Sequence, residues 1–200
     1  MERAIAKPRF TTSNMVKISI LGVLSFIIMN FSFPLPLTPA FLKLDLSDMP
    51  SIIGGFAMGP VAGITIQLIK NILHFITRTS TGGIGEISNF IVGGSFVLIS
   101  SGIYHINKTK RNAVIGSIAA TIGMAIVGAL SNYFIIIPFY SKLMPIDVII
   151  SMGTAVNALI TDKFTLVLYG VIPFNLIKGI ILSLATASIY KKVAPLLKTR

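Results

Sequence analysis

Two polar residues interrupt an apolar segment near the C-terminus, which reads "GVIPFNLIKGIILSLATASIYKK" from Gly170 to Lys192. Asn175 and Lys178 are three positions apart, so they share one face of a helix. An ionisable group inside a membrane span costs several kcal/mol and normally faces a cavity or a partner. The pair therefore predicts a polar cavity within the membrane.

Other apolar segments carry similar polar residues. Asn132, near the end of the fifth predicted helix, lies at a depth similar to that of Asn175, and Asn89 lies near the outer end of the fourth. We expect these side chains and Lys178 to converge on one cavity in the outer half of the membrane. The alternatives are hydrogen bonds between helices for the asparagines and snorkelling for Lys178. Lys70, closer to the outer interface, is expected to snorkel.

The chemistry of these side chains restricts the ligand. No acid is predicted deep in a span, so a cation is not expected. Amides donate and accept hydrogen bonds, whereas the Lys178 ammonium only donates. They suit a neutral or mildly anionic molecule with carbonyl groups and an N–H, such as a heteroaromatic ring. The candidates for an aromatic lining are Phe33, Phe41, Phe90, Tyr133, Phe134 and Phe174.

Catalytic and metal sites are not expected. His74 and His105 lie at opposite ends of neighbouring predicted helices, and the chain has no cysteine. The stretch "STGGIGE" lacks the Gly-Lys-Ser/Thr of a phosphate-binding loop. A small intramembrane lipid enzyme needs deep histidine or acid pairs, which the sequence does not indicate. That enzyme class is kept only as a distant alternative.

The composition is that of an integral membrane protein. Of 200 residues, 54% are hydrophobic and 12% are charged, whereas soluble domains carry about a quarter charged residues. We expect one membrane domain over residues 1–200. The net charge is +11, but the basic residues gather at the termini and in one loop, 108–111. This distribution indicates a membrane topology signal and a lipid environment, not nucleic acid as a partner.

Hydropathy and helix-breaking residues divide the chain. Six helices are predicted over about 15–33, 48–59, 60–77, 86–106, 112–137 and 167–192, with outer loops at 34–47, 78–85 and 138–166. Gly59 and Pro60 split the second helix from the third, and Pro138 is expected to end the fifth. Alternating polar and apolar residues over 41–50 predict a short strand or lid, and "MGTAVNAL" predicts a short surface helix.

The charge distribution predicts the orientation. Six spans place both termini on one side. Eleven basic residues then share that side: Arg3, Lys7, Arg9, Lys17, Lys108, Lys110, Arg111, Lys191, Lys192, Lys198 and Arg200. Five of the six acids lie on the opposite side: Asp45, Asp48, Glu86, Asp147 and Asp162. Because cytoplasmic loops are enriched in Lys and Arg, both termini are expected to be cytoplasmic.

Three stretches resemble the riboflavin-specific substrate-binding (S) components of energy-coupling factor (ECF) transporters. They are "FLKLDLSDMPSIIGGFAMGPVAGITIQLIKNILHF", "STGGIGEISNFIVG" and "IPFNLIKG", and the resemblance covers roughly residues 15–192. It implies the six-helix S-component fold, with an extracellular-side vitamin pocket and no ATPase activity. It also implies work with a transmembrane scaffold subunit and two ABC ATPases in the cell membrane of a Gram-positive bacterium. Riboflavin would be the transported ligand, and no cofactor is expected.

The resemblance also implies roles for individual residues. Asn175 and Lys178 would hydrogen-bond the polar pyrimidine edge of the isoalloxazine ring, and Asn132 would be a further ring contact. The loop around Leu42, Lys43 and Asp45 would cover the ligand and approach its ribityl chain. Asn89 is a further candidate ligand contact, because its position near the outer end of the fourth predicted helix places it in the expected cavity.

Partner docking and the identity of the vitamin stay open. Many S components carry an Ala-x-x-x-Ala pattern on the first helix, which this chain lacks. It has instead Ser19, Gly22 and Ser25, spaced by three. These small residues are either a docking face for the scaffold subunit or a packing face within the chain. An S component for another vitamin is the nearest alternative function.

Overall fold

The computed structural model describes residues 11–36 and 38–197, and this part of the chain is mostly helical, as the sequence predicts. The helices are α1 (Thr12–Met29), α2 (Asp48–Met58), α3 (Pro60–Arg78), α4 (Ile84–Ile106), α5 (Lys110–Ser131), α6 (Ile137–Tyr140), α7 (Ile146–Thr154), α8 (Lys163–Leu166) and α9 (Ile172–Leu197). Part of the predicted orientation signal lies outside the described residues: Arg3, Lys7, Arg9, Lys198 and Arg200.

The boundary between α2 and α3 is the one predicted from the sequence. Gly59 adopts a φ of 109°, which favours glycine, and Pro60 occupies the first turn of α3. Together they end one helix and begin the next without an intervening loop. The two helices therefore form a hairpin in place of one long helix.

A two-stranded antiparallel sheet follows α1. Strand β1 (Phe33–Pro34) pairs with β2 (Lys43–Leu44), with Phe33 opposite Leu44. The predicted strand-like stretch over 41–50 is thus confirmed at β2. The prediction that the first helix reaches residue 33 is wrong, because the helix ends at Met29 and Phe33 lies in a strand.

Two prolines are accommodated inside helices. The predicted helix end at Pro138 is wrong: one continuous helix runs over Lys110–Tyr140 through the π segment π1 (Asn132–Ile136). A second π segment, π2 (Val167–Val171), lies two residues before Pro173 and joins α8 to α9. A proline lacks an N–H and clashes with the carbonyl one turn earlier, and a widened π turn relieves both problems. The helices therefore continue past their prolines.

The predicted loop over 138–166 contains helical structure. Besides α6, it holds α7 (Ile146–Thr154), which begins earlier than the surface helix predicted around "MGTAVNAL". It also holds α8, which begins before the predicted start at residue 167 because Asp162 and Thr165 form a capping box.

The centre of the bundle is built around α2. Its apolar side chains pack with residues of α4, α5 and α9 in a cluster that includes Ile52, Phe56, Phe96, Met124 and Leu182. α2 has 11 residues and is therefore about 17 Å long. It is short for a span and largely buried among the other helices.

Four helices in the described residues are long and apolar enough to cross a membrane: Thr12–Met29, Ile84–Ile106, Lys110–Tyr140 and Lys163–Tyr190. Their outward faces carry exposed apolar residues such as Ile20, Leu98, Ile118 and Leu184. Apolar faces of this kind suit contact with lipid.

Candidate functional site

A cavity of about 650 Å³ lies at the end of the bundle that carries the β-hairpin. Its volume is within the range of small-molecule sites. All seven predicted ligand-binding residues line it: Leu42, Lys43, Asp45, Asn89, Asn132, Asn175 and Lys178. Residues from distant parts of the sequence therefore meet at one surface, as the sequence predicts.

Asn132 and Asn175 are held by their own helices. The amide of Asn132 donates to the carbonyl oxygen of Gly128 at 2.8 Å, and that of Asn175 donates to the carbonyl oxygen of Val171 at 2.9 Å. A Cβ atom on Gly128 would lie 2.7 Å from the Asn175 amide nitrogen, so glycine permits this close approach of α5 and α9. Each asparagine can offer its side-chain oxygen and second N–H to the cavity.

Lys178 is an ion-paired residue of the cavity wall. Its ammonium lies 2.9 Å from a carboxylate oxygen of Asp48 and 3.5 Å from one of Asp45. All three residues are buried. The prediction that no acid lies deep is therefore wrong, since the loop after β2 carries Asp45 inward and leads to Asp48 at the start of α2, and both carboxylates reach Lys178 of α9. Unpaired burial of either charge sign would cost several kcal/mol, which explains the pairing.

Lys70 completes a buried charge cluster with Asp45, Asp48 and Lys178. Its ammonium lies 2.5 Å from Asp48 and donates to the Ser47 hydroxyl at 3.0 Å. The Lys70 side chain is 0% exposed, so the prediction that it snorkels is wrong. The two ammonium groups are balanced by two carboxylates.

The cluster ties the loop to the helices. The backbone N–H of Ser47 donates to Asp45 at 2.8 Å, and the Ser47 hydroxyl also contacts that carboxylate. Gln67 donates to Asp48 at 2.7 Å from α3. These contacts fix the loop next to the cavity by side chains from α3 and α9.

A second polar group, His74 with Glu86, also belongs to the cavity wall. The imidazole Nδ1 of His74 is 2.7 Å from Glu86, whose other carboxylate oxygen accepts from Thr79 at 3.2 Å and Thr81 at 3.3 Å. His105 contacts different groups, the carbonyl oxygens of residues 55 and 56 at 3.1 and 3.2 Å. The two histidines thus have separate environments, and the pair of His74 with Glu86 closes the turn between α3 and α4.

The remaining cavity residues differ in exposure. Asn89 is half-buried, and its side-chain oxygen is buried without a hydrogen-bond partner among the described residues. Lys43 is exposed and Leu42 is half-buried. Of the predicted aromatic lining, Phe41 and Phe174 line the cavity. The other four do not belong to its wall, so the prediction is wrong for Phe33, Phe90, Tyr133 and Phe134.

Two of the three predicted docking residues face the interior of the chain. Ser25 is 0% exposed, and a Cβ atom on Gly22 would lie 3.0 Å from Cβ of Ile69. For Gly22 and Ser25 the packing alternative therefore applies, because α1 lies close against α3. Ser19 is exposed, and its hydroxyl donates to the carbonyl oxygen of Met15 at 3.0 Å.

Sequence reasoning missed the residues that neutralise the site. Asp48 and Glu86 lie at helix ends, as the sequence predicts, but neither their burial nor that of Gln67 is evident from the sequence. One signal was available: Lys70 and Lys178 both lie in apolar segments, and buried ammonium groups require buried carboxylates.

Comparisons with known proteins agree with this architecture. The family model described as "ECF transporter, substrate-specific component" matches residues 13–190. The riboflavin transporter RibU of Staphylococcus aureus (strain TCH60) is 35% identical over 184 residues, which cover 92% of each chain. The riboflavin transporter FmnP of Bacillus subtilis (strain 168) is 33% identical, with 90% of this chain and 92% of the relative covered.

A solved structure is similar to this chain over almost its whole length. It is described as "Structure and mechanism of the S component of a bacterial ECF transporter", and it superimposes with a TM-score of 0.75 at 34% identity. The match covers 94% of this chain and 99% of that chain. The family is a transporter component and not an enzyme. On these grounds, the chain belongs to the substrate-specific components of ECF transporters.

Proposed function

We propose that this chain binds riboflavin and is the riboflavin-specific subunit of an ECF-type transporter. The observation that carries the proposal is the convergence of Asn132, Asn175 and Lys178 on one cavity. Relatives named riboflavin transporters, at 35% and 33% identity over most of the chain, support the choice of ligand.

The site chemistry suits the polar edge of the isoalloxazine ring. That edge presents carbonyl oxygens and one N–H. The Lys178 ammonium can donate to a carbonyl, and the asparagines can accept from the N–H and donate to a second carbonyl. Phe41 and Phe174 supply apolar surface for the ring. Because the carboxylates balance the ammonium charges, the site suits a neutral ring.

The proposed topology has six spans with both termini in the cytoplasm. The four long apolar helices account for four spans, and the hairpin of α2 and α3 supplies the other two. The basic loop at Lys108, Lys110 and Arg111 then lies on the cytoplasmic side, as expected for such loops. The cavity opens at the extracellular side, where the β-hairpin and its loop cover it.

The proposed partners are a transmembrane scaffold subunit and two ABC ATPases. The chain itself captures the vitamin, and ATP hydrolysis by the partners drives uptake. The cell membrane of a Gram-positive bacterium is the proposed location, in keeping with the Staphylococcus and Bacillus relatives. Of the three proposed docking residues, only Ser19 is exposed for contact with a partner.

The decisive experiment is the spectrum of the purified protein. Protein from riboflavin-replete cells is expected to carry the yellow flavin absorption, and stripped protein is expected to bind added riboflavin tightly. Competition with thiamine, biotin and folate tests the alternative vitamins. Tight binding of one of these without riboflavin binding would contradict the proposed ligand.

A further inference from the structure

The buried charge cluster contains one residue that contacts Lys178 without lining the cavity. Asp48 is 0% exposed, and its carboxylate lies 2.9 Å from the Lys178 ammonium. The same carboxylate lies 2.5 Å from Lys70 and accepts from Gln67 at 2.7 Å. Asp48 is therefore fixed from α3 and faces α9.

The surroundings of Asp48 leave its carboxylate little freedom. A Cβ atom on Gly93 would lie 2.7 Å from its Oδ1 atom, so α4 closes the remaining side. Asp45 differs, because it lies in the loop, lines the cavity and is farther from Lys178, at 3.5 Å. Asp48 is thus the more rigid of the two anionic partners.

A lysine ammonium has three N–H groups on a flexible stem. Left without an anchor, the side chain would lose rotamer freedom on meeting a ligand, which weakens binding. An ammonium already held at the cavity wall avoids much of this loss. The ion pair with Asp48 supplies such an anchor while the cavity side of Lys178 stays available.

We propose that Asp48 is a positioning residue: its carboxylate, fixed by Lys70 and Gln67, holds the Lys178 ammonium at the cavity wall. Asp48 acts on the ligand only through Lys178. This inference rests on the proposed function, in which Lys178 donates to a carbonyl of the flavin ring.

A double-mutant cycle tests the coupling. The dissociation constant for riboflavin is measured for the wild type, Asp48→Asn, Lys178→Met and the double variant. We expect Asp48→Asn to weaken binding about tenfold, which is 1.4 kcal/mol. The double variant is expected to bind no more weakly than Lys178→Met alone. Additive losses would overturn the proposal, since Asp48 would then act independently of Lys178.

Controls separate positioning from damage to the fold. Ser51→Ala changes a residue of α2 that is equally buried, at 0% exposure, and lies away from the cavity wall, so its dissociation constant should stay unchanged. If Asp48→Asn fails to fold because Lys70 loses its partner, Asp48→Asn/Lys70→Met removes the orphaned charge. The same tenfold loss is expected for that variant, and wild-type affinity would overturn the proposal.

A second readout needs no ligand. Amine-reactive labelling of Lys178 in flavin-free protein, quantified by mass spectrometry, should rise several-fold in Asp48→Asn and stay unchanged in Ser51→Ala. Unchanged labelling in Asp48→Asn would overturn the positioning role. If the wild type fails to bind riboflavin while the labelling still rises, the proposed function fails and the anchoring of Lys178 by Asp48 stands.

Discussion

The buried amide of Asn175 lies in the cavity wall. Replacing Asn175 therefore tests a direct contact with the ligand. Asn175→Leu keeps a similar size but removes every hydrogen bond that the side chain can make. We expect riboflavin affinity to fall by about 1–3 kcal/mol, because a polar group of the ligand loses its partner inside the cavity. Isothermal titration or quenching of flavin fluorescence measures this change.

Asn71→Leu is the matched control for that experiment. Asn71 is 5% exposed, and its amide donates to the backbone of its own helix at 2.8 Å, four residues back. This is the bonding pattern of Asn175, but Asn71 does not belong to the cavity wall. Equal losses of affinity in both variants would contradict a specific ligand contact at Asn175.

At the same scale, the sequence predicts the polar face of α9 but not the carboxylates that pair with it. Asn175 and Lys178 are one turn apart in an apolar segment, so local spacing alone indicates a shared polar face. The partners of Lys178 could not be found this way. Asp48 is 130 residues away in the chain (178 − 48), and nothing local indicates that the loop before it folds inward. Pairing across the fold is decided by packing.

Among the helices, one predicted boundary is confirmed and another is wrong. Gly59 and Pro60 ended α2 and began α3 as predicted, because a positive φ and a missing N–H act locally. Pro138 did not end its helix. The chain forms a π turn before Pro138, and the helix continues to Tyr140. The helix thus breaks where Gly59 supplies a positive φ beside a proline, and it continues where a π turn precedes the proline.

The π segment before Pro173 has a consequence for binding. A π turn adds one residue to the helical turn and rotates the residues that follow. Asn175 and Lys178 lie in the first two turns of α9, which begins where π2 ends, so their direction into the cavity depends on π2. Pro173→Ala restores an N–H and removes the ring clash that favours the π turn. We expect riboflavin affinity to fall at least tenfold while the melting temperature stays the same or rises.

Pro145→Ala is the control for the effect of π2. Pro145 precedes α7 and lies outside both π segments and the cavity wall. Affinity in this variant should match the wild type, as should the flavin absorption spectrum. If Pro173→Ala also binds like the wild type, π2 does not set the direction of the site residues.

For the whole molecule, hydropathy and helix-breaking residues predict α2 and α3, at about 48–59 and 60–77, as well as the long apolar helices, and the structure contains them. The four long apolar helices were evident from the sequence because their outward faces stay apolar. α2 and α3 are different: α2 is short and central, and α3 buries Gln67, Lys70 and Asn71 toward its neighbours. In the proposed six-span topology, both would cross the membrane packed against the other helices. The proposed six-span topology therefore calls for a direct test.

The chain contains no cysteine, so each single-cysteine variant has one thiol for labelling. Lys108 and Lys142 are exposed and lie in turns at the ends of helices, Lys108 between α4 and α5 and Lys142 after α6. The helix Lys110–Tyr140 crosses the membrane between them in the proposed topology. In intact cells, a membrane-impermeant maleimide should label Lys142→Cys and leave Lys108→Cys unlabelled until the cells are opened. The reverse pattern would invert the topology and place the cavity on the cytoplasmic side, and labelling of both in intact cells would exclude a span between them.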